Sequence, residues 1–331
     1  MEFLSKTLRS FIAYLKSKQF IKSLIYDLTN KEDFSDLYEH EKMLADSTRI
    51  NTYYEGIKKF IKKGDVVVDL GTGTGILSFL ASKQEPKTIY AIDQSEFIDV
   101  AKDIALHNKI DNIEFVHKNS REFEIDAKAD VIIQEQMGEV LFNENMIENI
   151  LDLKKRVLKN GGIILPGKYE FFIEPAFISG PIAAPFIWEQ KIHGIDFSFL
   201  KDNYNSNNYK KEHYEVVFKD SGTFEYYLSE PSPILTFDLN TMEHKEEIPT
   251  RHQVSRVVQR AGNLNAFVIY FRTIFDEEIH FTIAPNAKST SWVNMFFRTK
   301  TQYFNKGDEL RYEFNMTNLM DLNTWSLHIK E

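Results

Sequence analysis

The sequence predicts an α/β domain built on a mostly parallel sheet, followed by an antiparallel β domain of sandwich or barrel type. Three observations predict it. Between residue 41 and about 165, short apolar runs alternate with segments of helical periodicity, the pattern of parallel strands covered on both faces. After "LPG" at 165–167 the runs turn aromatic, alternate with period two and are separated by turn residues, as in antiparallel sheets. The chain has 331 residues, 43% hydrophobic and 27% charged, with no low-complexity tract, which suits one large or two medium hydrophobic cores.

Taken in order, the chain begins with "MEFLSKTLRSFIAYLKSKQFIKSLIYDL", where Leu4, Leu8, Phe11, Ile12, Leu15, Phe20 and Leu24 recur at helical spacing while lysines and arginines interrupt every few positions. The stretch lacks an apolar core of signal length and is too polar to span a bilayer. The expectation is an amphipathic helix packed on its own protein, with a membrane surface as the alternative for its basic face. A helix over 41–62 follows, then "DVVVDL", a helix from Ile76, "TIYAID", a helix from Glu96, "NIEFVH", "ADVIIQ", a helix from Asn143 to Lys159, and "GIIL". These make up a domain over 41–166. Past a boundary near Pro166, the domain over 167–331 takes its strands from "YEFFIEP", "HYEVVFKD", "FEYYLS", "ILTFDL", "AFVIYFRT", "EIHFTI", "SWVNMFFRT", "ELRYEFNM" and "TWSLHIK". The polar, Asn-rich "KDNYNSNNYKKEH" at 201–213 reads as an exposed insertion or arm.

Charge and cysteine content narrow the chemistry. With 40 Lys and Arg against 49 Asp and Glu, the net charge is −9, which argues against nucleic-acid binding by broad phosphate neutralisation. An acidic surface suits a cationic partner, though solubility alone also explains it and is the commoner cause. The absence of cysteine excludes disulfides, thiolate–metal sites and thiol nucleophiles. The cytoplasm is the default location.

"VVVDLGTGTGILSFLA" is a strand, a glycine-rich turn and a helix start, with Asp69 at the strand end and Gly71, Gly73 and Gly75 in the turn. Glycine there admits a tight turn and a close approach of ligand to main chain. A dinucleotide fold wants its third small residue one place later, where this chain has Ile76. The G-x-G-x-G form after an acidic residue resembles instead the S-adenosyl-L-methionine site of class I methyltransferases, whose domain is Rossmann-like. Asp93 ends the second strand in "YAIDQS", placed to accept from two ribose hydroxyls. Asp69 is expected to organise the loop. In "VHKNSREFE", Glu122 is expected at the adenine amino group, with Glu124 or Ser120 taking that place if the turn is shorter.

"EQMGEVLFNENM" follows the strand "ADVIIQ" at once and sets Glu135 and Glu144 nine positions apart around a Met-Gly step. A metal would bring more ligands than this loop, which has no His or Asp, so no metal is expected. A carboxylate pair for sugar hydrolysis sits in a different architecture. Beside a methyl donor, two acceptor-only groups most simply clamp a planar guanidinium, whose fork of donors matches carboxylates in bidentate geometry.

This loop resembles the double-glutamate loop of the protein arginine N-methyltransferase family, S-E-W-M-G-Y, several residues, then E-S-M; Glu135, Met137, Gly138, Glu144 and Met146 match. "HEKMLADSTR" is similar to the family's H-E-x-M-L-x-D-x-x-R, "WEQKIHGIDFSFL" and "AFVIYFRTIF" resemble segments of its β-barrel domain, and "STSW" stands where the family has its T-H-W loop. The resemblance spans about residues 31–331 and implies a Rossmann-like methyltransferase domain followed by an antiparallel β-barrel. It implies that residues 1–40 include a cofactor-covering segment; members of the family commonly pair as homodimers through an arm from the barrel, and 201–213 stands in a suitable place for one although its Asn-rich composition lacks apolar anchors. It places His40 and Arg49 at the methionine part of S-adenosyl-L-methionine, and Met43, Met146, Glu139 and Trp292 at the substrate, with Glu135 and Glu144 catalytic.

The departures bear on substrate choice. Gln136 replaces the loop tryptophan and Glu139 the following tyrosine, making the pocket mouth more polar and more acidic; Ser291 replaces the histidine that pairs with Asp46, so a charged side-chain bridge between the domains is not expected. Of the upstream aromatic residues, "NKEDFSDLYEH" keeps only Phe34 at a comparable offset. The resulting expectation is methyl transfer from S-adenosyl-L-methionine to an arginine guanidinium in a protein or peptide. Two readings stand beside it: a methyltransferase for a small guanidino compound or other metabolite, and a catalytically weak homologue that serves as a scaffold.

Overall fold

The structure is a computed structural model that describes residues 37–180, 183–200, 216–220, 223–288 and 290–330. The expected N-terminal helix up to residue 36 and the arm at 201–213 lie outside the described residues. Two helices lead in, α1 (Leu37–Ala45) and α2 (Ser47–Phe60). The single helix expected over 41–62 is thus two, because Asp46 leaves helical geometry and its side chain accepts from Arg49 N, capping α2.

The first sheet contains β1 (Val66–Leu70), β2 (Thr88–Asp93), β3 (Ile113–His117), β4 (Ala129–Gln134) and β5 (Leu158–Leu165). They are all parallel, in the spatial order β3-β2-β1-β4-β5. Helix α3 (Ile76–Ser82) follows β1, α4 (Phe97–His107) follows β2, and α5 (Met146–Val157) precedes β5. All five residues of β1 are buried, as a central strand covered on both faces requires. From β1 the chain runs outward through β2 and β3, then returns to lay β4 on the other side of β1. The carboxyl ends of β1 and β4 therefore flank a topological switch point, where open α/β sheets leave a crevice for ligands.

The chain leaves β5 at Leu165 and enters the long strand β6 (Lys168–Ile178). From there every pairing is antiparallel. A seven-stranded sheet centres on β6, Gly262–Ile274 and Asn294–Phe304, and a three-stranded sheet comprises Arg251–Val257, Glu309–Met316 and Trp325–Lys330. Aromatic side chains fill the space between them: Phe314 lies 5.6 Å from Trp325, 5.9 Å from Phe297 and 6.5 Å from Phe171, ring centre to ring centre. The strand Arg251–Val257 was not among the expected runs, since only His252 on it is buried and its charged and polar residues hide the alternation.

The two domains interlock. The Tyr53 ring of α2 meets Phe275 edge-on at 5.1 Å, and Lys154 of α5 donates to the carbonyls of Asn240 and Met242. The bridge from Asp46 survives the loss of histidine because the backbone N–H of Ser291, not its side chain, donates to Asp46 Oδ2 at 2.7 Å. Asp46→Ala removes both the helix cap and this joint, and is expected to cost about 1–3 kcal/mol of stability. Ser291→Ala keeps the N–H and should stay within about 0.5 kcal/mol of the parent. Urea unfolding of both variants checks the pair, and an equal loss in Ser291→Ala would move the joint to the hydroxyl.

Candidate active site

The cleft at the switch point is lined by α1 and α2 (His40, Met43, Leu44, Arg49, Ile50), by the glycine turn, by Asp93 to Ser95, by Lys118 to Ser120, and by Glu135, Gln136, Glu144 and Asn149. The glycine loop and both glutamates of the opening motif thus share one cavity.

In the glycine turn, Gly71 (φ +72°) and Gly73 (φ +52°) adopt the left-handed region. A Cβ on Gly71 would meet only Gln136, at 3.7 Å, so its face opens to the cleft. Gly75, also at positive φ, begins α3, and any side chain there would collide with Phe79. Asp69 is fully buried beneath the turn and accepts from Thr72 Oγ1 and Ser78 Oγ. Burial pushes its carboxyl up to about 6 against those two hydrogen bonds. It organises the loop and does not line the cleft.

Asp93 does line it, but both oxygens already have partners: Oδ2 accepts from Gly73 N at 2.8 Å, and Oδ1 from Ser95 N and Oγ. A carboxylate offers about four lone-pair sites, so Asp93 ties the turn to the entrance of α4 and keeps limited capacity for a ligand hydroxyl. His40 is buried, its ring 3.9 Å from Phe97, and it sets the wall opposite Gly73. Glu122 is a correction: it is exposed on a short turn, and Ser120 with Asn119 and Lys118 lines the cleft in its place. The strand-end turn is shorter than the sequence suggested.

The glutamate loop is a hairpin. Leu141 N donates to the Gly138 carbonyl at 2.9 Å, Leu141 and Asn145 take positive φ, and Val140, Leu141 and Phe142 are buried beneath it. Any side chain on Gly138 would collide with Asn143, whose Oδ1 accepts from Val140 N. The fold-back returns Glu144 to Glu135. Gln134, fully buried, secures the loop's start: its Oε1 accepts from Gln136 N at 3.0 Å, its amide meets Tyr169 Oη, and its carbonyl accepts from Tyr53 Oη at 2.9 Å. Sequence reasoning missed it because a strand-end glutamine carries no motif. Met146 is a second correction, fully buried at the start of α5 with its sulfur 3.8 Å from Gln134 Nε2, in the core rather than at the substrate.

Arg49 pairs with Glu135, Nη2 to Oε2 at 2.5 Å, and its guanidinium lies 5.1 Å from the Trp292 ring centre. Trp292 is fixed by Nε1 donating to the Met137 carbonyl at 3.0 Å and by stacking on Phe281, so the β domain grips the hairpin. Burial drives both carboxyls upward. Glu135 reaches about 7, with Arg49 pulling it back, and Glu144 reaches about 8, raised further by the charges of Glu135 and Glu139. Two acids that share a desolvated cleft with one guanidinium are poised for a second cation.

Residues 29–168 match the ribosomal protein L11 methyltransferase family, and residues 186–325 match the arginine methyltransferase oligomerization subdomain. Protein arginine N-methyltransferase 6 of Danio rerio is 30% identical over 272 residues, spanning 79% of this chain and 76% of that protein. Protein arginine N-methyltransferase 1.1 of Arabidopsis thaliana is 30% identical over 277 residues, spanning 80% and 68%. This chain belongs to the protein arginine N-methyltransferase family. Solved structures share its fold, two of them as follows. The Trypanosoma brucei PRMT1 enzyme–prozyme complex with AdoHcy has TM-score 0.75 at 24% identity, covering 89% of this chain and 94% of that one. Arabidopsis thaliana protein arginine methyltransferase 10 has TM-score 0.73 at 23% identity, covering 87% and 91%.

Within this family member the Asp93 contacts make a specific forecast. Asp93→Ala should weaken S-adenosyl-L-methionine binding by roughly 10- to 100-fold, the worth of hydrogen bonds to a charged group. It should also lower the ligand-free Tm, because the turn loses its tie to α4. Calorimetry and thermal unfolding on one sample check both halves, and an unchanged Tm would show that the Gly73 and Ser95 contacts hold nothing in place.

Proposed function

We propose that this chain transfers methyl groups from S-adenosyl-L-methionine to a guanidinium nitrogen of arginine in a protein or peptide. The observation that carries this is the hairpin that returns Glu144 to Glu135 inside the cleft lined by the glycine turn. The cleft suits the cofactor in its donors: the open face at Gly71 for close approach, Asp93 for hydroxyls, Asn119 and Ser120 for a base, and Arg49 and His40 in the half beside α1.

When bound, the cofactor supplies a methyl group already activated by its sulfonium, so alignment is what remains for the protein. Glu135 and Glu144 are acceptors only when ionised, and together they match the fork of a guanidinium. Bonds from one carboxylate to a single terminal nitrogen concentrate charge there and leave the opposite nitrogen the better nucleophile. Glu144, whose carboxyl is pushed up by burial and by the charge of Glu135, accepts the proton released from the guanidinium. Glu139, half-buried and outside the lining of the cleft but close enough to raise Glu144, adds negative charge beside it and favours arginines flanked by other cations.

Glu135→Gln and Glu144→Gln keep shape and remove charge, so each should lower kcat by orders of magnitude with little change in cofactor affinity. The pair must ionise to hold a guanidinium, so kcat/KM for an arginine peptide should climb from pH 6 to above 8 and then level. The ligand-free fold should show the opposite trend in stability. Its carboxyls keep protons that the unfolded chain has released above about pH 4.5, so stability falls as pH rises from there to about 8. A pH–rate profile and a pH series of urea unfolding read the two slopes, and parallel slopes would contradict the assignment.

The same reading extends to assembly as a homodimer. Ile187, Ile192, Ile195 and Phe199 are 48%, 47%, 64% and 69% exposed around a small hairpin, and Leu106 on α4 is 80% exposed. Apolar surface of this kind is typical of an interface. The segment falls within the match to the oligomerization subdomain. Light scattering of the parent should give twice the 38.7 kDa chain mass, and Ile195→Asp with Phe199→Asp should give the monomer. A monomeric parent would overturn the dimer without touching the chemistry.

A further inference from the structure

The orientation of the Gln136 side chain follows from its neighbours. Arg121 can only donate, so the atom of Asn149 that meets its Nη2 at 3.2 Å is the carbonyl oxygen. Asn149 Nδ2 therefore points the other way, and what it meets at 3.2 Å is the oxygen of Gln136. The amide Nε2 of Gln136 is left facing the glycine turn, 3.7 Å from where a Cβ on Gly71 would stand. It donates no hydrogen bond among the described residues and is not sealed from solvent. Arg121 and Asn149 thus select one of the two ways an amide can lie, and the selected one presents two N–H groups to the cleft.

We propose that Gln136 binds the cofactor directly, donating from Nε2 to an acceptor on its adenosine half, with Asn149 and Arg121 as positioning residues that hold the amide in that orientation. The inference rests on the reading that the cleft takes S-adenosyl-L-methionine. The adenosine half is assigned because the relay runs from Gln136 through Asn149 to Arg121, the chain neighbour of the cleft-lining Asn119 and Ser120. Adenosine offers a ring oxygen, hydroxyls and ring nitrogens as acceptors. The tryptophan of the family pattern could not take this place in the relay, because an indole has a donor and no acceptor for Asn149. Gln136 also follows Glu135 directly, so occupancy of the adenosine site steadies the strand that carries the first clamp residue.

The test is calorimetric binding to the full chain, with no arginine substrate present, of S-adenosyl-L-methionine and of 5′-deoxy-5′-methylthioadenosine, which lacks the amino-acid part. Gln136→Leu should raise both dissociation constants by about 3- to 12-fold, the range for one net hydrogen bond. Gln136→Glu keeps an acceptor for Asn149 but loses the donor, so it should bind no better than Gln136→Leu. If Gln136 merely braced Asn149, the glutamate variant would restore binding. Asn149→Ala should weaken binding in the parent background and add nothing to Gln136→Leu, the signature of one coupled unit. Three outcomes would overturn the proposal: unchanged constants in Gln136→Leu, parent-like binding in Gln136→Glu, or a loss for the full cofactor that methylthioadenosine does not share. Failure of the arginine reading would show elsewhere, as absent transfer to arginine peptides while this binding series holds.

Discussion

Placing two carboxylates side by side out of water is the constraint on which the rest of this molecule depends. Burial is the largest cause that raises both; the charges of Asp46 and Asp69 add to it at Glu135, and the charge of Glu135 adds to it at Glu144. The fold answers with the guanidinium of Arg49, bonded to Glu135 and lying against Trp292. One guanidinium against two acids leaves this end of the cleft suited to a second cation.

Holding that arrangement requires both domains. The parallel sheet provides the crevice at its switch point, and the hairpin rises from β4 directly into it. On its own, a ten-residue loop with two like charges would swing apart. Here Val140, Leu141 and Phe142 anchor it from below, Gln134 pins its start, and the β domain reaches across to take the Met137 carbonyl through Trp292 and its sulfur through Thr273. The joint between Asp46 and Ser291 closes the same frame from the helical side. The placing of Glu135 and Glu144 is therefore a property of the domain interface, and displacement of either domain would be felt at the glutamates.

The departures from the family pattern gather around this frame. The histidine lost at Ser291 is replaced in its structural role by a backbone N–H, which any residue but proline could supply, so the position is free of the bridge's demands on side-chain chemistry. The tryptophan lost at Gln136 gives way to an amide joined to Asn149 and Arg121. Both changes exchange bulk or charge for hydrogen bonding, and both leave Glu135 and Glu144 in place. That retention argues for a working transferase rather than a scaffold.

Much of the fold was legible in the sequence because periodicity reports burial. Continuous apolar runs marked β1 and β4, alternation marked most strands of the second domain, and glycines at fixed spacing marked the turn, since each signal arises from local geometry. Resemblance pointed to His40, Met43, Arg49 and Trp292, which no local pattern marks and which the structure places in or beside the cleft. Legibility failed where the deciding contact is distant in the chain. Nothing local says that Met146 faces the core, that Glu122 turns to solvent while Ser120 faces the cleft, or that a helix breaks at Asp46 to cap its second half and meet Ser291 Nα 245 positions away. Gln134 and Asn149 were silent for the same reason: an amide's role depends on which donors and acceptors surround it. The sequence by itself determined which residue types were available to build a guanidinium clamp beside a methyl donor. Only the tertiary structure decided which carboxyls are desolvated, which cation sits against them and which way each amide faces, because those depend on groups that the folded chain brings together from both domains.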